Sequence, residues 1–361
     1  MPIQSKQLNF KGQNIFIGID VHLRSWSVAI IVSGVKIKPF SQDPSASVLK
    51  SYLERNYPGG NYLSAYESGF CGFSVHYNLM KEGIKNIVFN AADISDTHKE
   101  RSRKTDATDA AKIARNLSNG ELKAIHVPTE KEIADRELLR TRAAVVKTCT
   151  QTKMRIKSLL YLHGISYPEQ FQNNGTHWSR KFVAWVEEEA GKLPYDAGRS
   201  LLIHTSALKD QRRRILEVTR SLRSMLKTDS EYAKTLGLVI SVPGIGFITA
   251  ATFILEVGDI SRFRSNDRLA SYIGLVPDTR SSGPREVATG VTSRSNRHLR
   301  AMFIESAWHA VRMDAALTLA YSRLCARMEP NKAIIRIARK LVNRVAHVIR
   351  NDTTYEKSIV Q

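Results

Sequence analysis

The chain has 361 residues, 42% of them hydrophobic, enough for two or three domains with cores of their own and too apolar for wholesale disorder. Lysine and arginine number 54 against 34 acidic residues, a formal charge of +20; a surface so unbalanced repels itself unless a polyanion shares it, and nucleic acid is the expected partner. Membrane is not expected, because no lipidation motif or basic amphipathic terminus is present and the opening Met1–Lys6 has no apolar signal core; Cys71, Cys149 and Cys325 are too scattered for a zinc site and fit free thiols in a reducing cytoplasm.

Residues 14–127 alternate strand and helix signals. Asn14–Asp20 and Trp26–Ser33 are β-branched or apolar runs separated by a short polar turn, and Val35–Phe40 extends them into a three-strand antiparallel meander. Asp43-Pro44 marks a helix start with Val48, Leu49, Tyr52 and Leu53 as its buried stripe. Tyr62–Glu67 follows as a strand, Phe73–Lys81 as a helix and Lys85–Asn90 as a strand, so this part is an α/β layer with a mixed sheet.

From Glu130 to His163 there is no Gly or Pro, and apolar residues recur at helical spacing. A Gly/Pro/Asn-rich region at 164–198 precedes a second helical stretch in which Leu201, Leu208, Ile215 and Leu222 lie seven apart, which predicts an antiparallel hairpin or a coiled-coil arm. Basic residues on these helices are as readily a solvated face as a nucleic-acid contact. Thr235–Leu255 carries no charge and is long enough to span a membrane, but Pro243-Gly244-Ile245-Gly246 at its centre reads as a turn between two shorter buried segments. Gly244 and Gly246 would suit a helix–hairpin–helix presenting amides to a phosphate, or merely a buried turn. His298–Met328 and Asn331–Arg350 are helical, the last strongly basic on one side, so the C-terminal part is mainly α. The expected division is 1–128, 129–238 and 239–361.

Four acids stand out. Asp20 and Glu67 each close a buried strand, at the lip of a sheet where ligands of open α/β folds bind. Asp106 and Asp109, three apart at a helix start, share one helical face. Singly, each is explained by a turn or a favourable helix terminus. Together they would repel unless cations intervened, and two Mg²⁺ (or Mn²⁺) ions about 3.5–4 Å apart would clamp the oxygens of a phosphodiester. Hard oxygen ligands fit these ions better than zinc. An actin-like kinase also opens on a Gly-Ile-Asp strand, but Val21-His22-Leu23-Arg24 cannot let backbone amides approach a phosphate closely, and no Walker pattern exists.

Ile17-Gly18-Ile19-Asp20, Tyr66-Glu67-Ser68-Gly69, Lys104-Thr105-Asp106-Ala107-Thr108-Asp109-Ala110, Val242-Pro243-Gly244-Ile245-Gly246 and Gly274-Leu275-Val276-Pro277 with Ser282-Gly283 occur in that order. The chain in this respect resembles the DEDD-type transposases of the IS-one-ten insertion-sequence family, relatives of the Piv DNA invertase. The resemblance implies a RuvC-like (RNase H-type) N-terminal domain, a coiled-coil middle and a C-terminal domain with a nucleophilic serine. It implies DNA as substrate, Mg²⁺ on the four acids, a homo-oligomer (dimer or tetramer) whose sites combine the acids of one subunit with the serine of another, and in some members a structured guide RNA.

The serine falls at Ser282, with Ser281 as a competitor, because Asp278-Thr279-Arg280 stands where relatives often carry basic residues. A neighbouring glycine lets a phosphate approach the backbone, and covalent catalysis conserves the bond energy needed to rejoin strands. Ser281-Ser282-Gly283-Pro284 is by composition alone also an ordinary polar turn. Eight arginines and three acids lie between Arg262 and Arg300, and Arg280, Arg285, Arg294 and Arg297 are the expected phosphate contacts. Two other readings keep the fold: a hydrolytic junction resolvase with water as nucleophile, and a nucleic-acid-binding protein with idle acids.

Overall fold

The computed structural model describes residues 9–93, 105–281, 286–292 and 294–356. It divides into two compact units, Met1–Val127 and Pro128–Gln361.

The first unit is built on a mixed sheet. Its strands are β1 (Asn14–Val21), β2 (Trp26–Val32), β3 (Val35–Lys36), β4 (Phe40–Gln42), β5 (Asn61–Glu67) and β6 (Lys85–Phe89), ordered β3-β2-β1-β5-β6 with β4 also on β2. β1 runs antiparallel to β2 and parallel to β5, and β5 runs parallel to β6. Alternation along β1 explains the layering. Ile15, Ile17 and Ile19 face one way, into a core closed by α1 (Ala46–Asn56) and α2 (Ser74–Lys81) through Leu49, Leu53, Val75 and Leu79.

The other face of the sheet is lined by small residues, among them Gly18, Ala29 and Ala65, and is covered by α3 (Asp106–Ser118) through Ala110, Ile113 and Ala114. A Cβ on Gly18 would lie 2.1 Å from the Ala110 carbonyl oxygen and 2.4 Å from the Ala114 nitrogen. The missing side chain is therefore what lets α3 lie directly on β1. Three local expectations change. Val35–Phe40 is not one strand: pairing with β2 lapses before Pro39, which has no N–H to donate, and resumes at Phe40. α1 starts at Ala46, where the Ser45 hydroxyl accepts from the Val48 amide. Val48 is exposed, so it is not part of the buried stripe. Beyond β6, Ala124 bridges to Phe89 and the Ile125 amide donates to the Val88 carbonyl at 2.8 Å.

The second unit opens with α4 (Glu130–Leu162), whose start is fixed by a reciprocal Thr129–Glu132 capping box. α6 (Tyr195–Thr228) packs against it in the antiparallel sense: Arg142 Nε donates to Thr219 Oγ1 at 2.8 Å, and Gln211 Nε2 to Thr152 Oγ1 at 3.1 Å. The seven-residue series is shared between two cores. Leu201 and Leu208 join Ile156, Leu160 and the buried face of α5 (Arg180–Lys192), while Leu222 joins the C-terminal core. The Gly/Pro/Asn-rich stretch 164–198 contributes a helix and a cluster of aromatic rings around Phe182.

Among the described residues the rest of this unit is helical apart from one hairpin. α7 (Ser230–Ile240) and α8 (Phe247–Val257) flank the Pro-Gly turn, so the uncharged stretch is two short helices. Among the described residues no helix is long and apolar enough to cross a membrane. α9 (Asn266–Ile273) leads to β7 (Pro277–Ser281) and β8 (Glu286–Val291), then α10 (Arg297–Met313), α11 (Ala315–Cys325) and α12 (Pro330–Arg350). His298–Met328, read as helical, breaks at Asp314, whose buried carboxylate accepts from the Leu317 amide and the Tyr355 hydroxyl and is ion-paired with Arg344. The basic side of α12 is partly structural: Arg339 bonds Asp267 at 2.6 Å, and Arg344 bonds Asp314 at 3.0 Å.

Candidate active site

Each acid reaches its place for a local reason. Ile19 pairs with Tyr66 across the parallel β1–β5 ladder, so Asp20 and Glu67, the next residues of each strand, end neighbouring strands at the same level and on the same face. That face is the one α3 covers. The first turn of α3 comes from Thr-Asp-Ala-Thr-Asp: Thr105 is the N-cap, accepting from the Thr108 amide at 3.3 Å, and Thr108 Oγ1 accepts from the Thr105 amide at 3.0 Å. The two threonines start the helix, and Asp106 and Asp109 place two negative charges at its positive end.

The closest group is Asp20, Asp106 and His22, whose candidate ligand atoms all lie within 4.8 Å of one another. His22 Nε2 is 3.1 Å from Asp20 Oδ2 and 3.4 Å from Asp106 Oδ2. Burial pushes the Asp20 carboxyl above its ordinary range, His22 opposes the rise, and the charges of Asp106 and Asp109 add to it. Asp109 thus acts on Asp20 without belonging to the close trio, and Glu67 stands exposed at its strand end outside the trio. Crowded carboxylates with one imidazole are a donor set that fits a divalent cation. Sequence reasoning passed over His22. Period-two alternation was the available signal, since a residue two beyond Asp20 leaves the chain on the same side.

The other expected residues lie in the second unit. Ser282 and Arg285 fall outside the described residues; Ser281 ends β7 and pairs in register with Glu286, while Arg280 pairs with Val287. Gly244 has φ +86° and packs on α10, where a Cβ would meet Ala310 atoms at 2.6–2.8 Å, which gives this glycine a packing role. Gly246 is exposed and is the N-cap of α8. Arg294 lies between β8 and α10, and Arg297 opens α10.

The second unit also holds a buried acid that sequence reading did not single out. Glu256 accepts from Arg140 Nε at 2.8 Å and Nη2 at 2.9 Å, and from Asn296 Nδ2 at 2.8 Å, with Arg136 at 3.8 Å. Burial alone would raise its pKa, but Arg140, Asn296 and Arg136 outweigh that and hold it below the ordinary value. The Glu256 carbonyl also accepts from the Tyr272 hydroxyl at 2.9 Å.

Two family models match the chain: a DEDD-type transposase model over residues 17–164, which runs from β1 through α4, and a model described as "Transposase IS116/IS110/IS902 family" over residues 237–323. Sheet, acids and matches together define a DEDD-type DNA transposase. The chain belongs to the IS110 family of these enzymes. Among its relatives, the y4qE protein of Sinorhizobium fredii is 27% identical over 297 residues, 81% of this chain and 71% of that protein. The transposase for insertion sequence element IS1111A of Coxiella burnetii is 26% identical over 291 residues, 79% of this chain and 77% of that protein. The 43.6 kDa protein of insertion element IS110 from Streptomyces coelicolor is 34% identical over 142 residues, 39% of this chain and 35% of that protein.

Proposed function

We propose that the chain cuts and rejoins DNA strands with Asp20, Glu67, Asp106 and Asp109 as ligands of Mg²⁺ or Mn²⁺ and Ser282 as the nucleophile. The observation that carries this reading is the meeting of Asp20 and Asp106 over the end of β1, with Glu67 ending the adjacent strand and Asp109 acting on Asp20 through its charge. Bound cations would supply charge neutralisation at the phosphate and a clamp on the attacking and leaving oxygens.

The chain's own residues do the remaining work. Ser282 Oγ gives up its proton and bonds the scissile phosphorus while the bond to one bridging strand oxygen breaks, and that oxygen leaves as a hydroxyl. One phosphoester replaces another, so a strand hydroxyl can reverse the step without ATP. Arg280, Arg285, Arg294 and Arg297 hold the phosphate, and the exposed backbone at Gly246 presents amides to a neighbouring one. The α4–α6 pair is read as a coiled-coil arm joining copies into a homo-oligomer, in which the acids of one copy work with the serine of another. The basic surface supports a structured guide RNA as a second partner, and the bacterial cytoplasm is where both nucleic acids are met.

The test is to trap the intermediate. With Mg²⁺ and DNA carrying the element's ends, wild-type protein gives a denaturant-resistant protein–DNA adduct. Ser282→Ala abolishes the adduct, and Asp20→Asn or Asp106→Asn lowers its rate at least about a hundredfold. Hydrolysis without an adduct turns the reading into that of a junction resolvase. An adduct lost in Ser281→Ala but kept in Ser282→Ala moves the nucleophile by one residue.

A further inference from the structure

A cavity of about 320 Å³ opens in the second unit between α4, α8 and α10. Its lining combines apolar side chains, Val146, Ile248, Ala301 and Met302, with the cations Arg142, Lys147 and Arg297. The acid on its wall, Glu256, is already engaged by Arg140, Arg136 and Asn296. Arg142, Lys147 and Arg297 are not matched in the same way. Arg142 is half-buried and donates to the neutral Thr219 hydroxyl, and among the described residues neither it nor Lys147 nor Arg297 has a carboxylate partner. A guanidinium held partly out of water beside a neutral acceptor is a site short of an anion.

The missing occupant has to satisfy both surfaces. An inorganic anion would leave the apolar side chains bare, and a double helix cannot enter an opening of this size. A single nucleotide carries a flat, largely apolar base joined to a phosphate, and the volume lies at the small end of the roughly 300–1,000 Å³ usual for ligand pockets. We propose that this cavity captures one unpaired nucleotide of bound nucleic acid, with its base against Val146, Ile248, Ala301 and Met302 and its phosphate on Arg142 and Lys147. The proposal rests on the transposase reading and adds to it a place where a strand is held open.

Photo-crosslinking of the full-length protein tests it. One arm uses single-stranded DNA with a single 4-thiothymidine, the other RNA with a single 4-thiouridine, and adducts are mapped by mass spectrometry. The expected adducts fall on peptides containing Val146 or Met302, and the stronger arm identifies the source as DNA or RNA. Ala301→Phe, which fills the cavity, removes most of this labelling, and Arg142→Gln weakens strand binding roughly tenfold. The wild-type map stands whether or not Ala301→Phe folds, and thermal melting decides how that variant is read. Labelling confined to other segments, or unchanged in a folded Ala301→Phe, overturns the proposal. Overall affinity is read on the same samples: no binding of either strand sinks the transposase reading with it, whereas binding with an unlabelled cavity sinks only the pocket.

Discussion

Gly18 touches no substrate, yet the position of two of the acids depends on it. With the Ala110 carbonyl 2.1 Å from where its Cβ would be, even Gly18→Ala must push α3 off β1 and carry Asp106 away from Asp20. The expected cost is roughly 1–3 kcal/mol by urea unfolding, together with weaker Mn²⁺ binding by calorimetry. A variant with wild-type stability and Mn²⁺ affinity would show that this contact does not position α3. At this scale the sequence pointed to two of the three residues of the close group, Asp20 and Asp106. Strand ends gave Asp20 and Glu67, and an i, i+3 pair gave Asp106 and Asp109, because these follow from backbone periods alone. His22 obeys the same period and was missed because a turn histidine beside a strand-ending acid is commonplace.

Glu256 shows how elements are pinned. It sits on α8 and joins α4 through Arg140 and Arg136, the start of α10 through the cap residue Asn296, and α9 through Tyr272. Its folded carboxyl is held below the ordinary 4.5, so the pairing stabilises the fold above about pH 4.5 and that contribution fades as the pH falls through the lower folded value. Glu256→Gln is expected to cost roughly 1–2 kcal/mol at pH 7, since it removes the counter-charge of buried Arg136 while water partly compensates the half-exposed Arg140, and the gap to wild type should narrow in acid. Urea unfolding at pH 7 and pH 4 measures both, and a gap independent of pH would mean the carboxylate is not held ionised. No pattern in the sequence joins residues 140, 256 and 296. The same limit hid the break at Asp314, whose partners Arg344 and Tyr355 are remote along the chain. It hid the β7–β8 hairpin too, because two short strands rich in polar residues lack the apolar runs that marked β1, β2 and β5.

At the scale of the whole molecule, the acids belong to the first unit and the hairpin to the second. If sites combine copies, two inactive proteins can repair each other. Asp20→Asn co-expressed with Ser282→Ala should restore adduct formation to on the order of a quarter of wild type in a randomly mixed dimer, read on the trapped-adduct gel. No recovery would mean that each copy uses its own serine. The mixed character of the sheet was readable from its β-branched and apolar runs, while the packing of α5 and the C-terminal helices rests on long-range burial that no local window reports. Finally, the rims of that sheet bear on how the protein behaves while being made. One rim is shortened to Val35–Lys36 and interrupted at Pro39, and the other is only five residues long and is met at its end by Ala124 and Ile125. Neither offers a long bare ladder to a nascent or damaged neighbour, so copies crowded on one polysome lack a ready template for amyloid-like stacking.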